Sequence, residues 1–394
     1  MAKLSVNQAL SKAKSHEKKG EIEEAQKYYK IVLDIFPKNK RAQLGLIDLK
    51  RSNKNFVITN PPQDIIKQLI NLYNQGQFQL VVEHSQKLLK QHPKAFVIWN
   101  ILGAAHKGLG NTDKASLSFK KTTELNPNFA DGYNNLGASL HNQGMLKESM
   151  LAYHKAISLR PNYVEAYSNL GVLLQENGKI KEAIESYKKA ISINPDYAQA
   201  HNNIGNAFRD QAKLTEAIGS YNRAISIKPD YAEAYCHMGI ALNDQGKLNE
   251  SIEAYEKATT YKPSYIEAWT NGAEALEKWN KLTQLEDWLK QAFESFKVIP
   301  ADILYLQSKL LWRNKEFQKA FDLILTINDE FIAEKRKQDY FNLKAKCFES
   351  LKQYANAYKY FSKMNSVTKK TADFTMHNPK AFLKNTKNQL AMIK

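Results

Sequence analysis

Two cysteines in 394 residues, Cys236 and Cys347, lie far apart in the chain. That is too few for a disulfide framework and favours a reducing compartment. Long apolar runs are missing as well: neither the opening MAKLSVNQALSKAKSH nor any later stretch reaches the length of a signal-peptide core or a membrane span. The expectation is a cytoplasmic protein with no membrane span. The strings that carry catalysis are absent too. There is no Gly-rich phosphate loop ending in Lys-Ser/Thr, no paired CxxC, no HExxH and no GxSxG. Gly108-Leu109-Gly110 falls at a turn between helical patterns rather than after a strand, and the nine histidines are scattered over separate segments. No catalytic residue, cofactor, metal or small-molecule substrate is expected, and the chain reads as a non-enzyme.

Basic charge is abundant, at a net +17, but unevenly spread. The net charge is +7 over 1–60, +4 over 61–129, −1 over 130–265, −2 over 266–299 and +9 over 300–394. A groove that tracks phosphates needs its cations where the groove is, and the centre of this chain is neutral, which argues against nucleic acid as the partner.

What fills the centre is a 34-residue pattern. Four copies open on YNNLG (133–137), YSNLG (167–171), HNNIG (201–205) and YCHMG (235–239), and close on Pro161, Pro195, Pro229 and Pro263; Pro127 closes the copy before them. A fixed period of this length marks stacked units, each burying its apolar face only against its neighbours. Within a copy the spacing is helical. Tyr167, Leu170, Gly171 and Leu174 share one face of a helix A, Gly178 sits where the chain turns, and Ala183, Ile184, Tyr187, Ala190 and Ile191 follow on a helix B that Pro195 ends. Gly103, Gly137, Gly171, Gly205 and Gly239 recur at one position, as a close helix crossing requires; a large side chain there would push the axes apart.

The aromatic, Leu-Gly, turn Gly, Ala, aromatic, Ala and Pro at Tyr167, Leu170, Gly171, Gly178, Ala183, Tyr187, Ala190 and Pro195 resemble the tetratricopeptide repeat. The resemblance implies an all-α fold, a right-handed superhelical solenoid of helix-turn-helix repeats. Residues 1–60 are expected to form a repeat-like cap and linker, with the two prolines at 61 and 62 marking a break in phase, and 61–299 a continuous superhelix of seven repeats. Residues 300–371 keep only degenerate repeats, and 372–394 read as a partly disordered or single-helix tail.

In such a superhelix the A helices build the concave wall, which is a binding surface. The position before the Leu-Gly pair holds Asn135, Asn169, Asn203, His237 and Asn271, and the one before it adds Asn100, Asn134, Ser168 and Asn202. An Asn amide offers donor and acceptor together and so can pair with a peptide bond whatever the ligand's side chains. Similar asparagine ladders occur in the arm of the protein O-linked N-acetylglucosamine transferases, which implies a peptide rail here, with His141, Glu176, Asn206, Arg209 and Asp210 as candidate sources of selectivity. A polar residue tolerated on an exposed helix face is the competing reading of the ladder. Lys and Arg, which chaperone-adaptor repeats use to clamp acidic tails, are not what fills these positions. The expected function is a protein-interaction scaffold that grips an extended peptide. The alternative is the substrate arm of a fused transferase, since the chain is also similar to the N-terminal arm of bacterial proteins that join such repeats to a sulfotransferase or, less often, a glycosyl- or methyltransferase.

Overall fold

A computed structural model describes residues 5–19, 21–59 and 61–368. Among these residues the regular structure is entirely helical. The chain divides into two compact units, 1–193 and 194–394. The first contains α1 (Val6–Lys18), α2 (Ile22–Ile35), α3 (Lys40–Thr59), α4 (Gln63–Asn74), α5 (Phe78–Gln91), α6 (Phe96–Gly108), α7 (Thr112–Leu125), α8 (Ala130–Asn142), α9 (Leu146–Leu159), α10 (Val164–Glu176) and α11 (Ile180–Ile193). The second contains α12 (Ala198–Asp210), α13 (Leu214–Ile227), α14 (Ala232–Asp244), α15 (Leu248–Tyr261), α16 (Ile266–Lys278), α17 (Leu282–Ser295), α18 (Ala301–Arg313), α19 (Phe317–Leu325), α20 (Glu334–Ser350) and α21 (Tyr354–Thr368). From α6 to α17 every helix is 13 or 14 residues long, alternating A and B.

From α4 onward the turn from A to B is built in the same way. In the copy at α10, Gly178 has φ +74°, its N–H donates to Gln175 O at 3.0 Å, and the next N–H, of Lys179, reaches back to Leu174 O at 2.8 Å. This paired closure of a helix C-terminus places one residue in left-handed backbone, where glycine carries no Cβ penalty. The same site falls on Gly76, Gly110, Gly144 and Gly246, but also on Ala212, Asn280, Lys315 and Lys352, with φ between 55° and 64°. These last four keep the closing bond, as in Lys213 N–H to Phe208 O at 2.9 Å.

The repeated glycine of helix A has a more specific cause than the crossing of two axes. A Cβ added at Gly137, Gly205 or Gly239 would come within 2.8, 2.6 and 2.7 Å of the ring of Tyr153, Tyr221 and Tyr255, the helix B aromatic of the same copy, and Gly171 meets Tyr187 in the same way. The glycine is the socket for that ring. Ala183 and Ala217 occupy the neighbouring small position, and where it is Ser149 or Ser251 the hydroxyl donates to Gly137 O at 2.7 Å or Gly239 O at 2.8 Å, so the buried oxygen is satisfied.

The aromatic that opens helix A does more than pack. Trp99 and Trp269 donate their indole N–H to Pro93 O and Pro263 O, both at 2.9 Å, and His201 places Nε2 2.9 Å from Pro195 O. His201 thus does the work of an indole, fastening helix A to the loop that precedes it.

Two stretches differ from expectation. The linker expected at the end of residues 1–60 is helical, since α3 runs on to Thr59 and Pro62 then caps α4. With no proline until 61, nothing in the backbone forces an earlier stop. Beyond α19, an eight-residue connection with a 3-10 turn at Asp329–Phe331 precedes α20, which at 17 residues is longer than any helix from α4 to α19. The aromatic core of the second unit follows the loss of the repeat: Trp288 fills the socket at Gly272 and donates to Trp269 O at 2.8 Å, and Phe321 meets Phe348 edge to face at 5.2 Å. The tail at 372–394 lies outside the described residues.

Candidate functional site: an amide ladder on the A helices

In the first unit α6, α8 and α10 are successive A helices, and their asparagines are joined from helix to helix. Asn135 Nδ2 donates to Asn100 Oδ1 and Asn169 Nδ2 to Asn134 Oδ1, each at 3.0 Å and each across 35 residues. The offset is one repeat plus one residue: the ladder position of each copy bonds to the preceding position of the copy before. In the second unit His237 Nδ1 lies 2.9 Å from Asn202 Oδ1, again 35 residues away, and Asn271 Nδ2 contacts Cys236 Sγ at 3.8 Å by the same step.

This pattern separates the two candidate rows. Asn134 and Asn202 are 8% and 4% exposed and serve as acceptors between the helices. Asn135, Asn169, Asn203, His237 and Asn271 are half-buried. Each of Asn135 and Asn169 commits one of its two amide donors to the ladder, which fixes the plane of the amide and retains one donor and the carbonyl oxygen for other bonding. Asn202 Nδ2 also approaches Asn203 Oδ1 at 3.4 Å. Carbonyl acceptance by Asn202 requires His237 to carry its proton on Nδ1. Burial first, with the Arg209 charge adding to it, pushes the His237 imidazole down to about 4, so the ring is neutral near pH 7.

The flanking candidates divide further. Asn206 spends its carbonyl on the Tyr221 hydroxyl, at 2.7 Å. His141 Nε2 lies 2.7 Å from Glu176 Oε2, a pair that bridges α8 and α10 along the same face. Arg209 and Asp210 stand at the end of α12, the first half-buried and the second exposed. At Asn271 the face is occupied from within: Lys335 Nζ reaches Asn271 Oδ1 at 3.5 Å, and the neighbouring Arg336, almost wholly buried, bonds Glu274 Oε1 at 2.5 Å and lies 3.7 Å from Asp302. The start of α20 therefore covers the A-helix surface of α16 and α18. The sequence held no sign of this cover, because Lys335 and Arg336 read as ordinary surface charges.

No group of His, Cys, Asp and Glu suited to a metal ion is found among the described residues, and no described helix is long and apolar enough to cross a membrane.

Models of the TPR repeat match residues 139–178, 174–211, 205–243 and 241–280, and models of the tetratricopeptide repeat match 118–150, 97–129 and 10–39, together more than half of the chain. No curated protein matches. Among solved structures, the anaphase-promoting-complex hetero-tetramer Cut9–Hcn1 is 17% identical over 74% of this chain and 52% of its own, with a TM-score of 0.51. MamA is 26% identical over 41% of this chain and 95% of its own, at a TM-score of 0.37. YrrB, titled a TPR protein with an unusual peptide-binding site, is 19% identical over 48% and 96%, also at 0.37. Chains built of such repeats are generally scaffolds for protein interaction and generally not enzymes. With its helix pairs, its left-handed turns and its ring-in-glycine sockets repeating at the matched positions, this chain belongs to the tetratricopeptide-repeat family.

Proposed function

We propose that the protein is a non-catalytic scaffold that holds an extended segment of a partner protein along the A-helix groove. The observation that carries this reading is the fixed amide plane of Asn135 and Asn169, set by two 3.0 Å bonds of equal offset. Amides already held in place lose little entropy on binding, which is the condition for a rail that reads main chain. One committed donor on each amide also limits its strength. At about 0.5–1.5 kcal/mol per net bond, two or three amides hold a peptide weakly, so neighbours such as His141, Glu176 and Arg209 must supply selectivity. Asn134 and Asn202 act as supports, and Asn271 acts only where α20 yields.

A photo-crosslinking residue in place of Ala138, about one turn beyond Asn135 on α8, tests the reading. Partner capture should occur and should be lost when Asn135, Asn169 and Asn203 are changed together to Ala with the helical circular-dichroism signal retained; capture insensitive to that triple change would overturn it. As the substrate arm of a fused transferase, the same groove would present an acceptor, and a phosphate-binding loop encoded beyond Lys394 would decide for that role. A reducing, cytoplasmic location fits the two thiols, both buried and unpaired with one another.

A further inference from the structure

The first unit carries an apolar cleft that is not part of the A-helix groove. It lies between α7 and α9 with α8 as its floor, has a volume of about 830 Å³, and is walled by Leu117, Leu136, Leu140, Met145 and Leu151. Leu117 and Leu151 are 68% and 70% exposed, and Met145 is 42% exposed. The repeat itself shows that these residues are not demanded by the fold. At the helix B position of Leu117 and Leu151 the later copies carry Glu185, Gly219 and Glu253, and at the position of Met145 they carry Lys179, Lys213 and Lys247. At two positions of the repeat that are mostly charged in the later copies, three residues in two adjacent copies are apolar, and all three face one cleft. Solitary exposed leucines are ordinary, but a joined patch of this kind marks an interaction surface.

Two features of the cleft define its occupant. Its walls are helices whose backbone bonds are internal, so the cleft offers no row of main-chain donors or acceptors. An extended segment pressed into it would bury its own N–H and C=O groups without partners, whereas a helix arrives with its backbone satisfied. The polar rim holds the carboxylates of Asp113, Glu124 and Glu148 against the single ammonium of Lys120, although Glu124 also pairs with Lys121 at 3.1 Å. We infer that this cleft docks an amphipathic helix of a partner protein, with leucine-like residues on one face and Lys or Arg beside them, in the helix-in-groove mode.

The test uses the full chain and a fluorescein-labelled peptide of leucine and lysine with leucines at i, i+3, i+4 and i+7. It should bind saturably, and Leu117→Glu and Leu151→Glu should each weaken it roughly tenfold or more. Glu is what sister copies carry at that position, so these variants should melt as the parent does. Met145→Lys, again the sister residue, is the second lesion and should weaken binding by both loss of apolar surface and repulsion. The Asn135, Asn169 and Asn203 triple variant should bind the peptide undiminished, which separates this surface from the amide ladder. Equal affinity for a peptide with alternating leucines, equal affinity for a leucine–glutamate helix, or indifference to all three cleft variants would overturn the inference. So would a concentration-dependent dimer in sedimentation velocity that Leu151→Glu dissolves, since that would assign the cleft to a second copy of this chain.

Discussion

Replacing Gly171 by Ala isolates the ring socket. In an open helix position the change should stabilise, by about 0.5–1 kcal/mol, because glycine's backbone freedom is lost from the unfolded chain. Gly219, in the middle of α13 with nothing within 4 Å of an added Cβ, is that open position. At Gly171 the same methyl falls on the Tyr187 ring, 2.7 Å from Cδ1 and 2.9 Å from Cζ. The ring cannot simply swing away, since Tyr187 is 0% exposed and its hydroxyl donates to Gln175 Oε1 at 3.0 Å. Overpacking of this kind costs about 1–3 kcal/mol, and moving the ring puts a hydrogen bond of about 1 kcal/mol at risk. Net of the propensity gain, Gly171→Ala should destabilise by about 1–3 kcal/mol and Gly171→Leu by more, while Gly219→Ala should stabilise. Urea unfolding followed by far-UV circular dichroism, with the two variants in parallel, reads the difference in sign. Should Gly171→Ala shift the midpoint upward as Gly219→Ala does, the ring would not be seated where the structure has it.

The left-handed turn residues offer the opposite change: Ala212→Gly, at φ 58°, should stabilise by about 1 kcal/mol, whereas Gly178→Ala, at φ +74° with open space around it, should destabilise by a similar amount in the same urea assay. Acid should weaken the second unit through Asp329. Burial works to raise this carboxyl, but hydrogen bonds from Lys363, Lys344 and Tyr340 outweigh it and hold it at about 2. A carboxyl lowered from its ordinary 3.8 adds stability that is complete above pH 3.8 and is lost as pH falls toward 2, on the order of 2 kcal/mol. Asp329→Asn should flatten that part of a pH melt series; an unchanged slope would refute the pairing. Burial pushes the thiols of Cys236 and Cys347 up to about 12, so both should resist iodoacetamide in the folded protein at pH 8 and react on unfolding, as mass spectrometry would read.

The repeat was legible in the sequence to the extent that backbone geometry chooses residue types. Proline after helix B, glycine at the turn and glycine under the ring each answer a local demand, and the 34-residue phase follows from them. Where the same demand is met by a residue that tolerates it, the signal disappears. Nothing in Ala212, Lys315 or Lys352 announces a positive φ, although counting 34 from Gly178 lands on Ala212. The extension of α3 was hidden because Ser, Asn and β-branched residues are weak helix formers rather than breakers.

The two binding surfaces differ in what the sequence exposed. Periodicity placed Asn134 and Asn135 on the A helix but could not say which would bond sideways, since neighbouring residues point about 100° apart and only packing chooses the one that turns inward. The apolar cleft was open to a comparison across copies: Leu117, Met145 and Leu151 depart from sister residues that are nearly all charged. In a repeat protein the residues that match the period describe the scaffold. Those that break it together, in adjacent copies and at the surface, are under no demand from folding. They are where a partner should be sought first, and binding lost on restoring the sister residue, with melting unmoved, is what separates a docking site from drift.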